Sequence, residues 1–123
     1  MRIKPIPKNS PSFGYSSPLK TAFKKGLLPT VKFGIYGKKI TPETVSLEHI
    51  VPHSLGGKTT LDNLFLADKF ENSKRGVKPI EEVITRKNLF DYLEQFIDVK
   101  NKYIDGNKYI KGILKRLNIE VFK

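Results

Sequence analysis

The strongest constraint on the fold lies between Val45 and Pro79, where two apolar runs flank a breaker-rich loop and lead into a capped, glycine-terminated stretch. Val45 to Val51 reads as one extended run. Pro52 to Thr60 is a loop, marked by Pro52, Ser54, Gly56 and Gly57. Leu61 to Ala67 returns to an apolar strand. Asp68 then stands where an N-cap belongs, and Glu71 completes a capping-box spacing. Lys74 and Arg75 fall in the last turn of the expected helix, Gly76 follows it, and Pro79 prevents continuation. Strand, loop, strand and short helix form the expected central unit of an α+β fold.

The flanks differ from this unit. Val31, Phe33 and Ile35 alternate with Lys32 and Gly34 as in a strand, with a turn at Tyr36–Lys39. Earlier, five prolines (Pro5, Pro7, Pro11, Pro18, Pro29) and four serines make residues 1–30 arm-like, with a short helix expected around Leu19–Lys25. Residues 1–42 hold nine Lys or Arg and no acid, so this arm is either a solvated tail or a basic strap along a phosphate backbone. On the other side, Leu89, Phe90, Leu93, Phe96, Ile97 and Val99 follow a helical period across Leu89–Tyr103. Asp105-Gly106-Asn107 breaks it, and a second amphipathic helix follows with Tyr109, Ile110, Ile113, Leu114 and Leu117 on its apolar stripe. The expected organisation is an arm over 1–30, a core over 31–78 and a helical extension over 79–123. With 123 residues these belong to one domain.

The net charge of +11 points to a polyanionic partner, because each neutralised phosphate releases counterions and strengthens binding. The chain has no cysteine, which excludes disulfides and thiolate metal sites. No apolar run approaches the roughly 20 residues of a membrane span, and the N-terminus lacks the apolar core of a secretory signal. A cytoplasmic protein is the expectation.

The residues with chemical potential are concentrated in Leu47-Glu48-His49-Ile50-Val51-Pro52-His53-Ser54-Leu55-Gly56-Gly57, in Leu61-Asp62-Asn63-Leu64, and in Asn72-Ser73-Lys74-Arg75-Gly76. An acid–His pair opens an apolar step, a glycine-rich loop follows, Asp-Asn-Leu starts the second strand, and an Asn precedes a glycine by four residues on a basic helix. In this order and spacing, residues 33–77 resemble the HNH nuclease family, the ββα-metal fold found also in RNA-guided CRISPR effectors. The resemblance implies a central ββα-metal unit and a metal-dependent endonuclease acting on DNA.

That chemistry requires an activated water, a charge sink for the transition state and help for the leaving 3′ oxygen. An imidazole titrating near neutrality can take the proton, and a divalent ion can serve as Lewis acid and template. The resemblance implies His49 as general base, Glu48 and Asn72 as metal ligands from strand and helix, and Asn63 as the side chain that ties the loop down and orients the histidine. His53, Lys69, Lys74 and Arg75 are the expected contacts to nucleic acid. Neighbours on a regular strand face opposite sides, so Glu48 and His49 serve one site only if the strand bends or ends there.

Glu48 stands where Asp or His is more usual in the family. Many relatives brace this unit with zinc held by two Cys-x-x-Cys pairs; the equivalents here are Phe33-x-x-Tyr36 and Asp68-x-x-Glu71, so no structural zinc is expected. A carboxylate and an amide oxygen suit a hard ion, Mg²⁺ or Mn²⁺. DNA is the expected partner, with RNA as a second candidate, no membrane, and a dimer left open. The competing class is a nucleic-acid-binding module that keeps the fold and has no activity.

Overall fold

The computed structural model describes residues 17–119. The expected arm lies outside the described residues up to position 16. From Ser17 onward it is no arm. The Ser17 side chain accepts from the Lys20 amide at 3.1 Å and Pro18 occupies the first turn, which starts helix α1 (Pro18–Lys24). Leu19, Ala22 and Leu28 are buried in the common core, so the polar composition of residues 1–30 concealed a segment anchored by three apolar side chains.

The fold is α+β. A two-stranded antiparallel sheet of β1 (Val45–His49) and β2 (Leu64–Asp68) is accompanied by α2 (Lys69–Asn72), α3 (Arg86–Glu94) and α4 (Gly106–Arg116). The register pairs Val45 with Asp68, Leu47 with Leu66 and His49 with Leu64. Leu64, Phe65, Leu66 and Ala67 are all buried, the pattern of a strand covered on both faces. Single 3₁₀ turns form at His53–Leu55, Leu61–Asn63 and Ile80–Glu82. Among the described residues no helix is long and apolar enough to cross a membrane.

Three expected elements differ. Val31–Ile35 forms no strand: it contributes one bridge, Phe33 to Lys39, around the turn at Tyr36–Gly37. Gly34 lies so close to β2 that a Cβ there would sit 2.6 Å from the Ala67 Cα, and the Ile35 amide bonds Leu66 O at 2.9 Å. The segment therefore crosses β2 at close range instead of running along it. The second strand begins at Leu64, because Leu61–Asn63 coils into a 3₁₀ turn. The helix expected over Leu89–Tyr103 runs from Arg86 only to Glu94, and Asp98 takes a left-handed φ of 61° beyond its end.

Both strands of a two-stranded sheet have an open edge, a source of unpaired backbone groups. At β2 the helices close it. The Leu66 amide donates to the Tyr92 hydroxyl at 2.8 Å, Tyr92 and Tyr109 hydroxyls bond at 2.9 Å, and Tyr109 donates to Leu64 O at 2.6 Å. Both tyrosines are buried, and burial drives both phenols above their ordinary range. Gln95, just past α3, ties down the Phe33 turn: its Oε1 accepts from Lys32 N (2.7 Å) and Phe33 N (3.1 Å), and its Nε2 donates to Phe33 O (2.9 Å).

Candidate active site

His49 is the last residue of β1, and the chain bends at Ile50. Its imidazole is half-buried beside the following loop, with Nε2 3.1 Å from Thr59 Oγ1. The His53 ring stands edge-on at 6.1 Å between centroids. Burial, the positive charge His53 acquires on protonation, and the Arg75 guanidinium all hold the His49 pKa below the ordinary imidazole value. The shift favours the neutral ring, the form a general base requires.

The loop that carries this histidine is built on Asn63. That side chain is 1% exposed. Its Oδ1 accepts from Val51 N at 2.9 Å, and its Nδ2 donates to Val51 O at 3.2 Å and Lys58 O at 2.8 Å. Its own carbonyl accepts from Ile50 N at 2.9 Å. Both ends of the loop are thus fastened to one side chain. Gly57 lets them close: a Cβ there would lie 1.7 Å from Val51 O, so no other residue fits without moving the backbone.

Glu48 is buried on the opposite side of β1, as strand alternation requires. Its carboxylate accepts from the Tyr36 hydroxyl, and Oε1 lies 3.2 Å from Arg75 Nη1. Burial raises the Glu48 pKa, against the lowering pull of the Tyr36 hydrogen bond and the Arg75 charge. Tyr36 is raised in turn, first by burial and then by its bond to Glu48.

Arg75 requires a correction. It is not a surface contact for nucleic acid: its side chain is 2% exposed. Nε donates to Lys78 O at 2.6 Å, Nη2 to Ile50 O at 2.7 Å, and Nη1 to His49 O as well as pairing with Glu48. The guanidinium clasps the bend that follows His49. The expected helix also stops early, because α2 ends at Asn72 and the Lys74 and Arg75 amides bond three residues back in tight turns that draw Arg75 inward. The Asp68 cap is as expected, accepting from Phe70 N at 3.0 Å and Glu71 N at 3.2 Å.

Asn72 lies against β1 from α2. Its Nδ2 donates to Ser46 Oγ at 2.7 Å and Leu47 O at 2.8 Å, which fixes the amide and leaves Oδ1 without a protein donor among the described residues. Ser46 and Glu48 alternate onto one face of β1, so Asn72 docks on the Glu48 side of the strand. His49, the next residue on the strand, turns its ring to the other face, toward Thr59 and His53. Among the remaining expected contacts, His53 and Lys69 are exposed, Lys69 lies 5.5 Å over the Phe70 ring, and Lys74 is exposed but pairs with Glu71 at 3.1 Å.

A hard divalent ion is tested by the donors on this face. Among the described residues no three His, Asp or Glu side chains gather into a metal cluster. The pair Glu48 and Asn72 supplies one carboxylate with lone pairs beyond its two bonds and one uncommitted amide oxygen, a donor set that suits Mg²⁺ or Mn²⁺ completed by water and phosphate oxygens. Arg75 offsets the carboxylate charge, so the donors fit in type while their negative charge is largely spent within the protein. At the positions of the expected cysteine equivalents, Tyr36 and Glu71 line a shared cavity of about 230 Å³ with Arg75 and Lys74. No family model and no curated protein matches the chain.

Proposed function

We propose that the chain is a metal-dependent endonuclease hydrolysing phosphodiester bonds in DNA, with β1, β2 and α2 as a ββα-metal unit of the HNH type. The observation that carries this reading is His49: a half-exposed imidazole at a strand end, its pKa lowered by burial and neighbouring charge, before a loop fastened at both ends by Asn63. A Thr59 hydroxyl accepting the Nε2 proton leaves the Nδ1 lone pair to take a proton from water, which attacks phosphorus. A bound Mg²⁺ or Mn²⁺ at Glu48 and Asn72 would supply Lewis-acid stabilisation of the developing charge and of the leaving 3′ oxygen. Asn63 and Arg75 act through the backbone: one holds the loop after His49, the other the carbonyls of His49 and Ile50.

One observation favours a second reading, a DNA-binding module without activity. The Glu48 carboxylate is buried and already paired with Arg75, as it would be if its role were to hold the fold. Plasmid cleavage separates the two. Supercoiled DNA with Mg²⁺ is expected to be nicked by the wild type, and to stay intact with EDTA or with His49→Ala. If wild type and variant leave the plasmid equally intact while both shift it on a gel, the binding module is the correct reading.

A further inference from the structure

Helix α4 carries a feature that the catalytic residues do not use. It contains Lys108, Lys111, Lys115 and Arg116 and no acid. Tyr109, Ile113 and Leu114 bury one side of it against the core. Lys108, Lys111 and Lys115 are exposed on the other side, and their i, i+3, i+7 spacing puts them in one stripe. None of the three is in an ion pair among the described residues.

The helix is also fastened to the loop support. Arg116 Nη2 lies 3.0 Å from Asp62 Oδ2, and Gly112 faces Asp62 at van der Waals range. Asp62 is next to Asn63, which holds the His49 loop. The stripe is therefore carried by a helix packed on the Leu61–Asn63 turn, whose Asn63 holds the His49 loop. Glu81, Glu82, Asp91 and Glu94 lie around α3, while the acids that adjoin α4 are engaged by its end groups: Asp105 caps it, Asp98 accepts from Asn107 and Asp62 pairs with Arg116.

We infer that the Lys108–Lys111–Lys115 stripe is a docking surface for the phosphate backbone of duplex DNA, extending the substrate footprint from the His49 loop along α4. The inference rests on the nucleic-acid reading above. Seven residues of helix at ~1.5 Å each span about 10 Å, which matches about three phosphate-to-phosphate steps of one strand at ~3.4 Å along the duplex axis. The exposed side chains of α4 are Asn107, Lys108, Lys111, Lys115 and Arg116, with no aromatic among them. Single strands are held by stacking of bases on aromatic side chains, so a row of cations alone favours the regular backbone of a duplex.

The test measures binding in EDTA, on the His49→Ala background so that no cutting intrudes. The probes are a labelled duplex of about two turns (~20 bp) and one of its strands. Lys108→Ala/Lys111→Ala/Lys115→Ala keeps good helix formers at exposed positions, and its melting curve checks the fold. The slope of log K against log salt is expected to flatten by about 2 to 3 units on the duplex, at ~0.9 per phosphate contact. The control Arg86→Ala/Lys87→Ala, on the acidic side, is expected to leave it unchanged. An unchanged slope in the triple variant, equal flattening in the control, a larger effect on the single strand, or no duplex binding by the parent overturns the inference. The two proposals fail separately: steep, stripe-dependent binding with no plasmid cleavage sinks the nuclease reading alone, and cleavage without stripe dependence sinks this one alone.

Discussion

At the scale of single residues, the site is a set of buried polar groups with defined partners, and removing one partner costs more than the bond was worth. Asn63→Ala would leave Val51 N, Val51 O and Lys58 O without their partner in a half-buried loop. A loss of about 3 kcal/mol or more in urea unfolding is expected, at ~1–3 kcal/mol for each of the three groups. Arg75→Met is expected to cost about 3–5 kcal/mol at neutral pH by stranding the Glu48 carboxylate. The sign of its pH dependence follows from Glu48, whose folded pKa is already raised. A raised carboxyl contributes stability below its unfolded pKa and loses it as pH rises through the folded value. Without Arg75 the folded value rises further, so the variant should recover much of its deficit in mildly acidic buffer; an equal deficit at both pH values would show that the pair is not charged.

His49 carries a kinetic prediction at the same scale. Its pKa lies below the ordinary imidazole value, so kcat/KM should rise with pH through an acid limb below that value and level off near neutrality. His53→Ala removes one of the lowering charges and should move that limb to higher pH. A limb that does not move would separate His53 from the base.

Among the elements, the decisive interactions run between β2 and the two C-terminal helices. Tyr109→Phe would orphan Leu64 O and one end of the Tyr92 hydroxyl, both buried, at about 1–3 kcal/mol per group. Tyr92→Phe should cost a similar amount, and the double variant less than the sum, because the two hydroxyls form one chain. Strict additivity in urea denaturation would rule that chain out. None of this was visible in the sequence, where Tyr109 read only as an apolar position on a helical stripe and Tyr92 did not stand out. The parts that were legible depend on local chemistry: the Asp68 cap, the loop punctuated by Gly56 and Gly57, and the breaks at Pro52 and Asp105. The role of Asn63 came from the family resemblance, and its partners Val51 and Lys58 lie within twelve residues of it. The parts that were not legible depend on tertiary partners: Gln95 holding a turn over sixty positions away, Gly34 crossing β2, and Arg75 turned inward from a helix end where lysines and arginines ordinarily face water.

On the scale of the whole molecule, α1 and the C-terminal helices share one core with the sheet. Leu19 is fully buried although it follows a proline- and serine-rich stretch, so Leu19→Ala should cost about 2–5 kcal/mol, as for a central leucine. Unfolding should remain a single transition by circular dichroism and by tyrosine fluorescence. A separate early transition would instead make α1 an appendage.

The order in which these parts are made gives the bracing a temporal meaning. Glu48, His49, Asn72 and Arg75 leave the ribosome before Tyr92, Gln95, Tyr109 and Arg116, whose bonds close the edge of β2, pin the Phe33 turn and dock α4 beside the loop. A growing chain therefore holds the residues of its site well before it holds their supports. The geometry of the site is therefore reached only after α4 has been translated.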